Sequence, residues 1–416
     1  MSAVLPPQPW MADPATLAVI EALAVDAGPE GARFVGGCVR NTLIGAPVTD
    51  VDIATVLTPP KVQEALKKAG IAYHLTGEAH GVVTAIYMHR LIEITTLRRD
   101  VETDGRHAVV AFTTDWKQDA ERRDFRLNAI YADVGGRLYD PTGEGIADAR
   151  AGRVVFVGDP QTRIREDALR VLRFFRFRAW YGRGEPDRAS LAACAALKDF
   201  TLRLSAERVA KELLTLLAAP DPRAAVRLMA EAGVLEVILP EAKDLARFES
   251  LVAIESEQFL GEDALLRLAA LARVGRAGAW ALADRLRLSG AQKSRLGEAV
   301  SPDAAIVSWM SPKAVRQSVW RLGLEAFCDK VMLAWAGAER GAAAVQWRAL
   351  PPMARSWPRP AFPLSGEEIM AAGVPRGPLV GKVMAEVEAW WIDNDFPSDK
   401  LAVIERLKAV AQGMAY

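Results

Sequence analysis

Residues 34–55 read FVGGCVRNTLIGAPVTDVDIAT. Two glycines, a lone arginine and an aspartate pair stand here between apolar runs. Gly36 and Gly37 close a short strand and remove side chains where a backbone must come close to something. Arg40 follows near the start of a helix, whose free N–H groups can receive an anion. On a strand, i and i+2 side chains project to one face, so Asp50 and Asp52 share a side while Val51 and Ile53 turn toward a core. Two carboxylates that close repel unless a divalent cation removes the cost, which makes the pair a candidate Mg2+ site. A glycine turn beside an ordinary solvated loop is the competing reading. It loses ground at LIEITTL, where Glu93 takes the face opposite Ile92 and Ile94. Three carboxylates on neighbouring strands beside a glycine turn describe a two-metal phosphoryl-transfer site.

Working outward, the first third alternates strand-like and helical runs. Residues 14–27 predict a helix, and TPPKVQEALKKAG predicts another with a proline start and a glycine stop. IAYHLT, GVVTAIYM and RLIEITTL predict strands, the last two joined by a tight turn at His89-Arg90. RRDVETDGRH is polar and turn-rich and is expected to be a mobile loop, and His80 is expected to support a strand turn. Beyond about residue 158 the strand signal stops and helical spacing takes over. Breaks are expected at APDPR (219–223) and PPMARSWPRPAFP (351–363).

Two further stretches carry chemistry. In AERRDFRLNAIY, Arg123 can meet a phosphate and Asn128 a ribose hydroxyl, with Asp124 between them; an amphipathic helix with a surface salt bridge is the bland alternative. In TRIREDALRVLRFFRFRAW, helical spacing puts Asp167, Arg170, Arg173 and Arg176 along one side. Asp167 offers only acceptors and Arg170 a rigid fork of donors. Cytosine and adenine each present an amino donor beside a ring-nitrogen acceptor, so such a pair suits CTP and ATP and mismatches UTP and GTP. An i,i+3 surface ion pair is the alternative and leaves the arginine row unexplained.

The chain has 416 residues, 51% hydrophobic and 25% charged, with a formal net charge of +0, which speaks for several domains and against a general polyanion binder. Charge is nonetheless segregated. Residues 1–150 carry 15 Lys/Arg against 20 Asp/Glu, whereas residues 151–220 carry 13 against 8. Cys38, Cys194 and Cys328 form no C-x-x-C, which points to a reducing compartment and away from a zinc site or a disulfide framework. No secretory leader and no run of 18 apolar residues is present, so a soluble cytoplasmic protein is expected.

FVGGCVRNTLIG…TDVDIAT, EITTLRRDVETDGRHAVVAFTTDWKQDAERRDFRLNAI, REDALRVLRFFRF and LSAERVAKEL follow one another as in the class II tRNA nucleotidyltransferases, the CCA-adding enzymes and bacterial poly(A) polymerases. The resemblance covers roughly residues 30–235. It implies an α+β head of the polymerase-β-like nucleotidyltransferase fold, followed by an all-α neck, body and tail. The expected boundaries are 1–155, 156–225, 226–350 and 351–416. It implies Mg2+ on Asp50 and Asp52, with Glu93 as a third catalytic position. Nucleotide-binding positions fall on Gly36, Gly37, Arg40, Arg123, Asp124, Asn128, Asp167, Arg170, Arg173 and Arg176. Glu207 and Arg208 match motif positions as well, and residues 98–112 match the family's flexible loop. One departure is Asn41, where the family commonly has Asp. Some members carry an HD-type phosphohydrolase domain at the C-terminus. All four histidines here (His74, His80, His89 and His107) lie in the head, so the tail is not expected to be one.

Three readings follow. The first is CCA addition to the tRNA acceptor arm from CTP and ATP. The second is A-only addition to tRNA, or poly(A) synthesis. The third, of another class, is a non-catalytic RNA-binding protein. No membrane and no obligate protein partner is expected in any of them.

Overall fold

The computed structural model describes residues 4–77, 81–103, 108–243, 245–339, 341 and 343–413. His80 and His107 lie outside the described residues. The chain divides into two compact units, residues 1–242 and 243–416.

In the first unit, helix α1 (Pro14–Ala27) starts on Asp13, whose carboxylate accepts from the N–H groups of Ala15 and Thr16. A helix start leaves those donors free, and this cap satisfies them. Strand β1 (Ala32–Val35), helix α2 (Gly37–Ile44), strand β2 (Asp52–Thr55) and helix α3 (Pro59–Lys68) follow. Gly36 turns the chain from β1 into α2 with φ +71° and ψ −122°, a conformation that only glycine takes at low cost. Next come β3 (Ala72–Gly77), β4 (Val82–Tyr87) and β5 (Arg90–Thr96). The hairpin between β4 and β5 turns at Met88 and His89, with φ of 47° and 61°, one residue earlier than the expected His89-Arg90. Two successive left-handed residues match the strand twist, but Met and His give no turn signal.

Strands β6 (Arg98–Thr103) and β7 (Ala108–Phe112) pair as a separate antiparallel ribbon. This corrects the loop expected over RRDVETDGRH for residues 98–103, where backbone pairing forms without an apolar alternation to announce it; residues 104–107 lie outside the described residues. After helix α4 (Trp116–Glu121), strands β8 (Tyr131–Ala132) and β9 (Leu138–Tyr139) complete a mixed sheet. Its seven strands run β3-β4-β5-β2-β1-β8-β9. Strand β2 is central, antiparallel to β1 and parallel to β5.

Among the described residues no strand follows β9. Helices α5 (Gly145–Ala151), α6 (Pro160–Glu166), α7 (Leu169–Tyr181), α8 (Arg188–Ala196), α9 (Ala206–Leu217), α10 (Arg223–Glu231) and α11 (Val234–Ile238) finish the unit. The buried ring of Phe125 packs on Phe156 at 4.8 Å and on Phe177 at 5.1 Å, which fixes α7 against the segment after α4. Such ring pairs add about 0.5–1.5 kcal/mol each beyond their buried area.

The long helix expected over residues 162–180 is broken. Asp167 is extended at φ −148°, and its carboxylate accepts from the N–H of Leu169 at 3.0 Å, so it ends α6 just before α7. Aspartate competes with helical hydrogen bonding in this way, and the uninterrupted spacing concealed it.

Among the described residues of the second unit every regular element is a helix, from Leu245–Glu257 to Lys400–Gly413. The break expected at residue 351 comes only after Arg355, because Pro351 and Pro352 lie inside the helix Ala344–Arg355. Ile369, Val383, Val387, Trp391, Val403 and Leu407 form a buried cluster with Trp320 packed on it. No described helix is long and apolar enough to cross a membrane.

Candidate active site

Parallel pairing of β2 with β5 sets Asp52 directly opposite Glu93. Registered residues in a parallel pair share a face, and the alternation is clear: Ile53, Ile92 and Ile94 are buried while Glu93 is exposed. Asp50 is exposed and lies two residues before β2, in the loop that follows α2. A side chain on Gly36 would come within 3.8 Å of the Asp52 carboxylate, so the glycine turn and the carboxylates adjoin. Among the described residues no three acidic, histidine or cysteine side chains already converge as a metal cage. The arrangement is a carboxylate pair with a third neighbour.

The Asp52 carboxyl is pushed up to about 6 by burial and by the charges of Glu93 and Asp50, with Arg123 and Arg40 opposing. A raised carboxyl favours folding when protonated: that stability is present below the unfolded value near 4 and lost as pH rises through about 6. In metal-free protein, Asp52→Asn is therefore expected to stabilise at about pH 7–8, by at most about 3 kcal/mol, and to change nothing at about pH 4. Thermal melts of both proteins across that range check it, and a constant difference would contradict it.

Arg40, on α2, is buried and held from several sides. Its Nε and Nη2 donate to Asn41 Oδ1 at 3.1 and 2.9 Å, its Nη2 to Tyr181 Oη at 2.8 Å, and its Nη1 to Asn128 Oδ1. Asn128 donates in turn to Asp124 at 3.0 Å. Asp124 accepts from Arg173 Nε at 2.8 Å and from the N–H of Phe125. Burial opposes ionisation of Asp124, but Arg173 and Asn128 bring it down to about 2. The structure thus joins Arg40, Asn128, Asp124 and Arg173 in one network, with Asp124 occupied by protein donors. Arg176 donates to Glu212 on α9 at 2.5 Å, and its guanidinium lies 4.5 Å from the Phe177 ring.

Arg123 donates from Nε and Nη2 to Asp119 at 3.2 and 2.9 Å, and from Nε to Tyr131 Oη at 3.2 Å. Asp119 is fully buried and also takes both Nε and Nη2 of Arg122. Burial works against its charge, yet Arg123, Arg122 and Tyr131 hold it well below the ordinary carboxylate range.

Each member of the expected base-reading pair has protein partners of its own. Asp167 accepts from Arg208 Nη2 at 2.9 and 3.1 Å. Arg170 donates to Glu166 at 2.6 Å and to the carbonyls of Arg163 and Arg122 at 2.9 and 3.1 Å. Asp119, Glu212 and Tyr181 were missed in the sequence. Asp119 had a signal, standing three and four residues before Arg122 and Arg123. Tyr181, 141 positions from Arg40, had none.

Residues 32–155 match the family described as poly A polymerase head domain, and residues 185–245 match the one described as probable RNA and SrmB-binding site of polymerase A. The sequence is 31% identical over 399 residues to the mitochondrial CCA tRNA nucleotidyltransferase 1 of Mus musculus, covering 90% of this chain and 86% of that one. The chain belongs to the CCA tRNA nucleotidyltransferase family. Its fold is that of other members. The Bacillus stearothermophilus CCA-adding enzyme, solved in complex with CTP, superposes with a TM-score of 0.76 at 24% identity, covering 98% of this chain and 100% of that chain. The Thermotoga maritima CCA-adding enzyme, solved with tRNA, gives 0.67 at 18% identity over 95% of this chain and 96% of its own. The α+β head and helical remainder expected from the sequence are those of this family.

Proposed function

We propose that the protein adds CCA to the 3′ end of tRNA from CTP and ATP, without a nucleic-acid template. The observation that carries this is Asp52 in register with Glu93, with Gly36 against its carboxylate and Arg40 within electrostatic reach. Membership of a family whose relatives are named for CCA addition supports the substrate.

Asp50 and Asp52 would hold Mg2+: they offer hard oxygen donors, and this ion takes one or two carboxylates and completes its shell from substrate phosphates. That suits a site where two acids adjoin without a closed cage. When bound, the metal supplies charge neutralisation on the transferring phosphoryl group and activates the attacking hydroxyl. Glu93 adds negative potential on the neighbouring strand. Gly36 and Gly37 leave the backbone bare for the triphosphate, and Arg40 and Arg123 supply cations for its oxygens. Asn128 keeps one amide hydrogen for a ribose hydroxyl. Arg173 and Arg176 steady the network behind these groups. Asp167 accepts from the amino group of cytosine or adenine, and Arg170 donates to the adjacent ring nitrogen. The three free cysteines fit a reducing, cytoplasmic setting.

The tRNA acceptor arm is gripped through its phosphates by the basic neck and the helical body, by shape more than by sequence. Binding is therefore expected to weaken at least about tenfold between about 50 and about 200 mM salt, alike for different tRNAs. Filter binding across a salt series measures it, and a flat response would remove the phosphate grip.

The function itself is tested by incubating purified protein with tRNA lacking its 3′ CCA, plus CTP, ATP or both. Two added cytidines with CTP alone, and CCA with both, are expected. Adenosine added without cytidine, or long A tracts, would replace this reading with A-only or poly(A) synthesis. Binding without extension would leave an RNA-binding protein.

A further inference from the structure

Phe177, buried on α7, has three guanidinium groups around its ring. The guanidinium carbons of Arg176, Arg40 and Arg173 lie 4.5, 5.3 and 5.5 Å from the ring centre. All three are within the ~6 Å at which an aromatic face attracts a cation. Arg173 stands one helical turn before Phe177 and Arg176 is its chain neighbour, whereas Arg40 comes from α2. Tyr181, one turn further along α7, brings a second ring centre to 4.0 Å from Arg40 and packs on Phe177 at 5.4 Å.

Three like charges drawn this close repel one another. Burial pushes the Arg40 guanidinium below its ordinary value, and the charge of Arg176 pushes the same way, with Tyr181 and Asp124 opposing. Two of the three cations have a carboxylate in contact: Arg173 has Asp124 and Arg176 has Glu212. The Phe177 ring is the one group that all three share. An aromatic face attracts a guanidinium without occupying any of its N–H donors, so those donors stay available to an anion. An aliphatic side chain of similar size would fill the same space and supply none of this attraction.

We propose that Phe177 is a positioning residue whose ring face holds Arg40 in place beside Arg173 and Arg176, so that Arg40 stays aimed at the phosphates of a bound nucleotide. This rests on the nucleotide site proposed above, but not on the identity of the product.

The test replaces Phe177 in the full chain by phenylalanine bearing one, two or three ring fluorines. Fluorine withdraws electrons from the ring face and changes its size little, so packing is kept while the pull on cations falls step by step. Calorimetric affinity for inorganic tripolyphosphate is expected to drop with each fluorine and to end about tenfold below wild type. In nucleotide addition, KM for CTP and ATP should rise by the same factor, since both carry the triphosphate, while kcat changes less. A purely packing role would shift the melting temperature and leave affinity equal across the series. Equal affinity overturns the proposal, as does a KM rise confined to one nucleotide. Should the fluorinated chains fail to fold, wild-type affinity in folded Phe177→Leu overturns it equally. No binding of tripolyphosphate by the wild-type chain would overturn this proposal and the nucleotide site together. Binding that follows the fluorine series in a protein that extends no tRNA would uphold the positioning role and reject CCA addition.

Discussion

Asp52→Ala is expected to lower nucleotide addition by about three orders of magnitude or more, while the fold and tRNA binding stay near wild type. Each ~1.4 kcal/mol of lost transition-state stabilisation is about tenfold in rate, so the claim asks roughly 4 kcal/mol of the carboxylate, within reach of a metal clamp. The fold should tolerate the change, because Asp52 begins β2 and is repelled there by its acidic neighbours. Asp50→Ala should behave alike in activity, since it offers the second oxygen ligand. Single-turnover extension at saturating Mg2+ measures both, and near wild-type rates in either variant would remove the pair from the chemistry.

Asp167→Ala is expected to lower incorporation of C and A and to relax discrimination against U and G by one to two orders of magnitude. The ion pair with Arg208 is no obstacle to base reading. Its side chains are 32% and 41% exposed, and such a pair contributes at most about 1 kcal/mol. A base amino group can take over that carboxylate, whereas a buried polar group left unpaired costs about 1–3 kcal/mol. The substitution also removes the acceptor for the Leu169 N–H, a hydrogen bond of about 1 kcal/mol, which melting experiments separate from selectivity. If Asp167 serves only as an ion-pair partner, stability shifts slightly and the CTP/UTP ratio does not move. Single incorporation of all four triphosphates distinguishes the two.

What was legible in the sequence follows from the range of the interactions involved. Helix α1 was read at its observed bounds, because proline, apolar spacing and the end of the run are local signals. The Asp52–Glu93 neighbourhood was legible because alternation fixed which face each residue takes, and strand pairing then set them opposite. The break at Asp167 escaped because a single side chain switching its acceptor to Leu169 leaves the helical period intact. The turn at Met88-His89 escaped because its left-handed residues are neither glycine nor asparagine. Partner choice among charges was the least legible. Arg170 carried the right donors, but its use of the Arg122 carbonyl 48 positions away depends on how α7 packs on the head. Asp124 was read as part of the nucleotide site, but its partners Arg173 and Asn128, brought to it by tertiary packing, were not foreseen.

Uptake of Mn2+ in the presence of CTP, followed by electron paramagnetic resonance, tests the central claim most directly. The wild-type chain should take up the ion, and the Asp50→Asn/Asp52→Asn double variant should not do so at the same concentrations. Equal uptake by the folded double variant would contradict the assignment of these two carboxylates as the metal-holding pair of a nucleotidyl-transfer site.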